Sequence, residues 1–402
     1  MKYWPPVCGS GLILSSSSCL PELAIVTGPF TYTSHFHNAE QSNELGTIVG
    51  ALFSVEDCAA AYSTICQWPA YQVTPLISMT DIAATAGVEK IYYKNESSRF
   101  GLGSFKALGG SYAIECLSQD SPGDDLVVCT ATDGNHGRAV AWGASLCGAE
   151  CHVFIHANVS EARAQAIASL GAMIHRVEGN YDDSIAACNE QAALHGWQIV
   201  SDTSWEGYRD IPKVIMAGYS VMTFEMMDQL DGDIPSHVIL QAGCGAMAGA
   251  LIASMWHHWG ARLPTIIMVE SDRSDCVYQS LKRDEIHLVN IVEETVMAGL
   301  SCGEVSLLAW PLIQKGASHV VTIPDTGVAP MVRWLANPTD GERQSVIGGE
   351  CSASGLIALL AIQQDPVLAN DLGIDSDSRI LVIGTEGNTD AELYDNIIAG
   401  AP

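Results

Sequence analysis

The residues from Leu126 to Ile155, LVVCTATDGNHGRAVAWGASLCGAECHVFI, contain the pattern that decides the fold. Leu126 to Thr130 is a short apolar run, which is typical of a buried strand. The stretch from His136 to Cys147 has the length of a helix, and Gly148 after it is a common helix terminator. Cys151 to Ile155 is a second apolar run. The pattern therefore predicts a strand, a helix and a parallel strand in succession.

The same alternation continues towards the C-terminus. Ser160 is a typical helix N-cap, and the Ala-rich stretch after it predicts a helix that ends at Gly171. Further strands are predicted at Met173 to Val177, Gln198 to Ser201, His237 to Gln241, Thr265 to Glu270 and Ile380 to Ile383, and further helices at about Ile215 to Leu230 and Ala246 to Trp256. The fold class is therefore α/β, with mostly parallel sheets that helices cover on both faces.

A turn-rich linker predicts that the chain folds into two lobes. Asp231 to Pro235 contains the residues that favour turns, and it separates two groups of predicted strands. We expect residues 111–230 to form a small domain, and residues 51–110 together with 231–402 to form a large one. Residues 1–50 are expected to form an N-terminal extension.

The charge balance excludes several classes of function. The chain has 402 residues, with 18 Lys and Arg against 46 Asp and Glu, which gives a net charge of −28. Without clustered cations, binding to nucleic acid or to an anionic membrane surface is not expected. The run from Leu12 to Leu14 is short for a signal peptide, which is a weak alternative, and we expect a cytoplasmic protein. The 13 cysteines lack metal-site spacing and are expected to be mostly buried thiols.

One lysine stands in an unusual setting. Lys106 lies in SSRFGLGSFKALGG, residues 97–110, among glycines, serines and apolar residues. A lysine removed from water loses its proton more easily, as an amine that forms a Schiff base must. The alternative is an ordinary lysine at the start of a helix, exposed to water.

Three further motifs each follow a predicted strand, where the N-terminus of the next helix can bind an anion. TATDGNHG, residues 130–137, contains Asp133 and Asn135; alone, it is equally a simple turn. QAGCGAMAG, residues 241–249, could hold a phosphate on its backbone N–H groups, although close helix packing also needs small residues. LVIGTEGNTD, residues 381–390, places Thr385 at the same sheet edge, unless Thr and Asn only cap the next helix.

Together, the four motifs resemble the pyridoxal-phosphate enzymes of the tryptophan-synthase-β and threonine-dehydratase type, known as fold type II. Within that superfamily the diaminopropionate ammonia-lyases are the most similar, because SRFGLGSFKALGGSYAI, ATDGNHGRAVAW, SDTSWEGY, LQAGCGAMAG, VMAGLSCGE and GTEGNTD resemble their motifs. The resemblance runs from about Tyr71 to the C-terminus. It implies a two-lobed fold whose large domain binds the cofactor, and a homodimer.

The resemblance also implies roles for individual residues. Lys106 would bind pyridoxal 5'-phosphate as a Schiff base, Asn135 would lie beside the ring oxygen, and Thr385 would face the ring nitrogen. The phosphate would be held by the loop Gly243, Cys244, Gly245, Ala246 and Met247. A neutral hydroxyl at the ring nitrogen does not hold it protonated, which suits elimination better than transamination.

Two acids separate this branch from ordinary serine and threonine dehydratases. Asp133 stands where those enzymes usually have serine, and Asp202 lies in the segment SDTSW. The resemblance implies that they act on the substrate, by accepting the Cα proton of a D-isomer or by pairing with a β-ammonium group. The alternative for Asp202 is a helix N-cap before Trp205.

The expected reaction is the α,β-elimination of 2,3-diaminopropionate to pyruvate and ammonia. Gly103 and the pair Cys351 and Ser352 depart from the family pattern close to where substrate should bind. This leaves a serine or threonine dehydratase, or a β-replacement enzyme that uses the same aminoacrylate intermediate, as alternatives. An inactive amino-acid sensor is a weaker one, because Lys106 and both acids are present. The resemblance also covers Cys276 and Cys302, which could form a disulfide or remain two free buried thiols.

Overall fold

The computed structural model describes residues 28–41, 44–120, 126–132 and 134–400. Its strands are β1 Ser34–His37, β2 Leu76–Ser78, β3 Lys90–Asn95, β4 Val127–Ala131, β5 Glu150–His156, β6 Met173–Val177, β7 Gln198–Ile199, β8 His237–Gln241, β9 Thr265–Ser271, β10 His319–Ile323 and β11 Arg379–Gly384. Its α-helices are α1 Leu45–Leu52, α2 Val55–Ile65, α3 Thr80–Ala86, α4 Lys106–Asp120, α5 Asn135–Cys147, α6 Glu161–Ala168, α7 Tyr181–His195, α8 Asp210–Tyr219, α9 Val221–Leu230, α10 Ala246–Trp259, α11 Cys276–Arg283, α12 Trp310–Gly316, α13 Val328–Ala336, α14 Glu350–Gln363, α15 Pro366–Leu372 and α16 Ala391–Ile398.

The strands form two sheets, which confirms the expected α/β class. One sheet has seven strands in the order β1-β10-β9-β8-β11-β3-β2, and the other has four in the order β6-β5-β4-β7. The four-stranded sheet is parallel throughout. The seven-stranded sheet is parallel in its centre, but β1 and β2 pair antiparallel with β10 and β3 at its two edges. Both faces of the parallel core are packed with apolar side chains.

The two sheets are formed by the two parts of the chain that the linker from Asp231 to Pro235 was predicted to separate. All four strands of the smaller sheet lie within residues 111–230, whereas the larger sheet is built from the flanking segments. The domain boundaries themselves stay a prediction. One part of the expectation needs adjustment: β1 lies in the predicted extension but pairs with β10, residue for residue from Ser34 to His37. Residues 1–27 of the extension lie outside the described residues.

Two helices end differently from the sequence expectation. The helix capped by Ser160, whose hydroxyl accepts from the N–H of Arg163, ends at Ala168 rather than at Gly171. The single helix expected from Ile215 to Leu230 is divided into α8 and α9 at Ser220. The Ser220 hydroxyl donates to the carbonyl oxygen of Ala217 at 2.6 Å, a local bond that competes with regular helix geometry.

In the part of the chain that the structure describes, no single helix is long and apolar enough to cross a membrane. Two bent helix pairs, α1 with α2 and α14 with α15, pass the same length and composition test only when taken together.

Candidate active site

The carboxyl ends of strands from both sheets converge on one site. The turn before α5 follows β4, the segment that contains Asp202 follows β7, and the loops after β8 and β11 come from the larger sheet. Side-chain contacts connect the two sheets there, because Asn135 at the start of α5 donates from Nδ2 to Oε2 of Glu386 at 2.5 Å. Residues from all four sequence motifs meet at this place, although the strands that carry them belong to two sheets.

Lys106 is the first residue of α4 and points into the site. Its Nζ forms an ion pair with Oδ2 of Asp202, and both side chains are about four-fifths buried, with 20% and 18% of their surfaces exposed. Burial lowers the pKa of Lys106, but the charge of Asp202, with Tyr219 and Cys244, outweighs it and holds that pKa well above the usual range. The lysine is therefore largely buried rather than exposed to water, but the expectation that burial would make it lose its proton more easily is wrong, because the charge of Asp202 outweighs burial.

Asp202 holds its charge despite burial. Burial raises the pKa of its carboxyl, but the charge of Lys106 more than compensates, so that this pKa lies below its ordinary range. Asp202 does not cap a helix, because the next helix begins at Asp210 and has Arg209 at its N-cap position. The N-cap alternative is therefore wrong, and a charged carboxylate remains beside the lysine amine.

His136 lies on the other side of Asp202 as a neutral ring. Its Nε2 is 2.9 Å from the carbonyl oxygen of Val200, and since a carbonyl only accepts, this nitrogen carries the proton. Burial lowers the pKa of the ring. Its Nδ1 is then an acceptor, buried without a hydrogen-bond partner among the described residues and 3.8 Å from Oδ2 of Asp202. His136 lies in the motif of residues 130–137, but no role was expected for it from the sequence.

The loop between β8 and α10 has the form of an anion cradle. Gly245 has φ of +83°, and a Cβ there would lie 2.6 Å from Cδ1 of Ile313. No described residue accepts a hydrogen bond from the N–H groups of Gly243, Cys244 or Gly245. These groups precede the N-terminus of α10, whose partial positive charge also favours an anion. Ala246 and Met247 follow as the first residues of that helix.

The Asp202 segment is tied to this loop. The N–H of Ser306 donates to the carbonyl oxygen of Cys244 at 2.9 Å, and the hydroxyls of Ser204 and Ser306 are 2.6 Å apart. The thiol of Cys244 lies 3.9 Å from the carbonyl oxygen of Asp202. A hydrogen bond from the thiol of Cys302 lowers the pKa of Cys244 to about 7. The lysine, the acid and the cradle thus form one connected unit.

The segment after β11 forms the wall beside the lysine. Thr385 is buried, and its carbonyl oxygen accepts from the N–H of Phe105 at 3.1 Å, which places the hydroxyl-bearing residue next to the lysine loop. The N–H of Gly387 donates to the carbonyl oxygen of Gly103 at 2.9 Å. Gly103 has φ of +79°, a conformation that glycine adopts most readily. Thr385 does not cap α16, because Asp390 does.

Glu386 is a site residue that the sequence analysis missed. Besides Asn135, its carboxylate accepts from the N–H of Cys351 at 3.1 Å, and its backbone exchanges hydrogen bonds with the Ser352 hydroxyl. Burial, then the charge of Glu386, raises the pKa of Glu350 to about 7. The departures at Cys351 and Ser352 are therefore in contact with the site wall. An acidic residue in a turn is expected to be exposed to solvent, and the role of Glu386 becomes apparent only from its contacts with residues far away in sequence.

Asp133 and the two cysteines Cys276 and Cys302 were also singled out in the sequence. Asp133 lies outside the described residues, so its expected role stays a prediction. Cys276 and Cys302 are free thiols in the structure, which agrees with the free-thiol alternative and not with the disulfide. The thiol of Cys302 is paired with Cys244, whereas that of Cys276 lies 3.7 Å from the carbonyl oxygen of Gly243.

These residues fit a phosphorylated aldehyde cofactor. The cradle offers N–H groups without acceptors to a phosphate, and Lys106 offers the amine that an aldehyde needs. Two buried polar atoms here have no hydrogen-bond partner among the described residues: Oη of Tyr219 and Oε1 of Gln241. Tyr219 interacts electrostatically with Lys106, and the side-chain amide of Gln241 lies 3.5 Å from the hydroxyl of Thr385. Such atoms are rare in folded proteins and indicate a site built for a further molecule.

Comparison with known proteins agrees with this geometry. Residues 68–386 match the family described as pyridoxal-phosphate dependent enzyme. The chain is 38% identical over 349 residues to diaminopropionate ammonia-lyase of Escherichia coli K12, which covers 82% of this chain and 87% of the relative. It is 36% identical over 358 residues to the enzyme of the same name from Salmonella typhimurium, over 82% of this chain and 89% of that one.

Solved structures give the same result. The crystal structure of the Escherichia coli diaminopropionate ammonia lyase in complex with D-serine has a TM-score of 0.85 at 34% identity, and the match covers 92% of this chain and 97% of that one. Maize serine racemase has a TM-score of 0.72 at 21% identity, covering 87% and 98% of the two chains, which shows a shared fold.

Proposed function

The chain belongs to the pyridoxal-phosphate dependent enzymes, and on that premise we propose that it is an ammonia-lyase that converts 2,3-diaminopropionate to pyruvate and ammonia. The observation that carries the proposal is the buried ion pair of Lys106 with Asp202 beside the anion cradle. It supplies, in one place, an amine for the cofactor and a fixed negative charge for a substrate with a second amino group. The identity to curated lyases of this name supports the choice of substrate.

Pyridoxal 5'-phosphate, when bound, supplies an aldehyde that reacts with amines and a ring that withdraws electrons from the substrate Cα. Lys106 would hold it covalently, and the N–H groups from Gly243 to Met247 would bind its phosphate. Asn135 would lie beside the ring oxygen. Thr385, a neutral hydroxyl, would face the ring nitrogen without holding a proton on it.

Asp202 is proposed to bind the leaving group. A Lys106 amine that holds the cofactor, or that is neutral so that it can accept a proton, no longer gives the carboxylate of Asp202 an ammonium partner. The β-ammonium group of diaminopropionate would replace that partner, and the carboxylate would keep it protonated. An ammonium group leaves as neutral ammonia, so the C–N bond can break without a further proton donor. Serine, whose hydroxyl is neutral, would gain no such interaction.

Two bases are proposed for the Cα proton. Lys106 would take it from one face of the substrate and Asp133 from the opposite face, so that both isomers of diaminopropionate could react. His136 is given no part in proton transfer, because its ring is neutral and its unprotonated Nδ1, 3.8 Å from the carboxylate of Asp202, has no hydrogen to donate. The homodimer and the cytoplasmic location stay predictions.

A comparison of substrates tests this function. The enzyme loaded with cofactor is supplied separately with D- and L-diaminopropionate, serine and threonine, and keto-acid formation is measured. The proposal expects both diaminopropionate isomers to react at least tenfold faster, as kcat/KM, than serine or threonine. A faster reaction with serine or threonine would establish a dehydratase instead. Turnover that requires an added nucleophile and yields no pyruvate would establish a β-replacement enzyme.

A further inference from the structure

A second cluster of chemically active side chains lies on β1, an edge strand of the seven-stranded sheet, and on its neighbour β10. His35 and His37 alternate along β1 and therefore point to the same face. His319 is the first residue of β10 and pairs with His37 in the antiparallel register. Asp371 reaches the same place from α15. The catalytic site uses the carboxyl ends of the parallel strands, whereas His319 lies at the amino end of its strand.

The potential ligand atoms of three of these residues are close together. Nε2 of His35 and Nδ1 of His319 are 3.0 Å apart. One ligand atom each from His35, His319 and Asp371 lie within 4.8 Å of one another. Zinc binds imidazole nitrogen and carboxylate oxygen at about 2.0–2.2 Å, so the ligand atoms of a tetrahedral site lie roughly 3.3–3.6 Å apart. Binding an ion would therefore require the two nitrogens to separate slightly and the Asp371 carboxylate to move closer to them.

The rings of His35 and His319 share a proton across this contact, because two ring nitrogens 3.0 Å apart form a hydrogen bond in which one of them donates. A metal ion would take the place of that proton, and each ring would then carry its proton on its other nitrogen. Asp371 is exposed and makes no ion pair with any described Lys or Arg. A cation would satisfy it and would be attracted by the net charge of −28.

We propose that His35, His319 and Asp371 bind a divalent transition-metal ion, for which zinc is the best match, and that the ion fastens β1 to α15. Two imidazoles and one carboxylate form a ligand set that zinc favours over magnesium or calcium, and a water molecule would complete the tetrahedron. Because β1 is an edge strand whose only sheet neighbour among the described strands is β10, the ion would stabilise the fold, and it takes no part in catalysis. The proposal is independent of the enzymatic function.

Zinc titration of the full-length protein tests the site. After treatment with EDTA, the protein is titrated with zinc against a chromophoric chelator. We expect one zinc site that weakens at least tenfold in both His35→Gln and Asp371→Asn, whose altered side chains are partly or fully exposed. The control variant His195→Gln changes an exposed histidine at the end of α7 and should bind zinc like the parent.

Two further readouts separate this site from the thiols. Zinc should raise the melting temperature of the parent and of His195→Gln, but not that of His35→Gln or Asp371→Asn. Cobalt in place of zinc should show absorption bands of nitrogen and oxygen ligands. Thiolate charge-transfer bands would assign the metal to cysteines and overturn the proposal. Unchanged zinc affinity in both variants, or no zinc binding by the parent, would overturn it equally.

Discussion

At the scale of single residues, the ion pair of Lys106 with Asp202 connects the sequence to the proposed chemistry. From the sequence alone, Lys106 could equally have been a lysine exposed to water, and Asp202 could have been a helix N-cap. The structure removes both, because the side chains are largely buried and Asp202 precedes no helix directly. Neither result could follow from sequence, since the two residues are 96 positions apart and meet only through the fold.

Borohydride reduction of the cofactor-loaded enzyme, followed by peptide mapping, should find the pyridoxyl group on Lys106. Three other lysines, Lys90, Lys94 and Lys213, have acidic partners elsewhere: Lys90 pairs with Asp233 at 3.6 Å, Lys94 is fully buried against Glu225, and Lys213 pairs with Asp57 at the surface. The variant Lys106→Ala should remain unlabelled. A label on any of these three lysines in the parent protein would refute the assignment.

Replacement of Asp202 by Asn should remove the negative charge while it keeps the size of the side chain. We expect turnover of diaminopropionate to fall by about 10²–10⁴-fold, the usual range for a lost catalytic acid or base, with an unchanged circular dichroism spectrum. Asp210→Asn, an exposed acid in the first turn of α8, serves as the control and should keep full activity. Near-normal turnover in Asp202→Asn would exclude the proposed role.

At the scale of elements, the sequence predicted the central strands better than the edges. The bounds of β6 and β8 agree with the expectation, because both are compact runs flanked by turns. No strand was predicted at β1, β2, β3 or β10. These lie at or beside the sheet edges and include His35, Lys90, Lys94 and His319, which interrupt the apolar pattern that marks a buried strand.

The phosphate cradle should depend on Gly245 for two reasons, its positive φ and the nearby Ile313 side chain. Gly245→Ala should weaken cofactor binding at least tenfold, measured by titration of the visible absorbance of the cofactor. Gly232→Ala is the matched control, because Gly232 has nearly the same φ, +84°, but no atom within 4 Å of its Cβ position. Equal cofactor affinity in both variants would show that the loop does not form the cradle.

A buried ion network holds the turn that leads to Lys106. Glu225 on α9 accepts from Arg99 at 2.7 Å and from Lys94 at 2.6 Å, and all three side chains are almost fully buried. Arg99 also pairs with Glu96 at 2.7 Å. This network could not be predicted from the sequence, because Glu225 is more than 120 residues from both cations.

Removal of the charge of Glu225 should therefore destabilise the protein strongly. Glu225→Gln leaves Lys94 without its counter-charge and Arg99 with Glu96 alone, and we expect a loss of about 3–5 kcal/mol in the free energy of unfolding. Urea denaturation measures this loss. The control Asp228→Asn, an exposed acid on the same helix, should change stability by less than about 0.5 kcal/mol. A loss for Glu225→Gln as small as that of the control would contradict the network's role.

At the scale of the whole molecule, the carboxyl edges of two sheets build one site from segments that are far apart in sequence. The residues that meet there range from Gly103 to Glu386, so no single segment contains the function. The sequence nevertheless predicted that three of the four motifs follow parallel strands, at the sheet edge where ligands bind. The Lys106 motif follows β3, where no strand was predicted, and the approach of the two sheets depended on the fold. The contacts between motifs, such as that of Asn135 with Glu386, depended on the fold.

The ratio of the products formed from diaminopropionate shows whether the enzyme eliminates the β-amino group. Elimination of the β-amino group, followed by hydrolysis of the aminoacrylate that is released, yields two molecules of ammonia for each pyruvate. Ammonia and pyruvate are measured in the same reaction, with Lys106→Ala as the blank. We expect a two-to-one ratio of ammonia to pyruvate that depends on Lys106. Equal amounts of the two products, or ammonia without pyruvate, would contradict an ammonia-lyase.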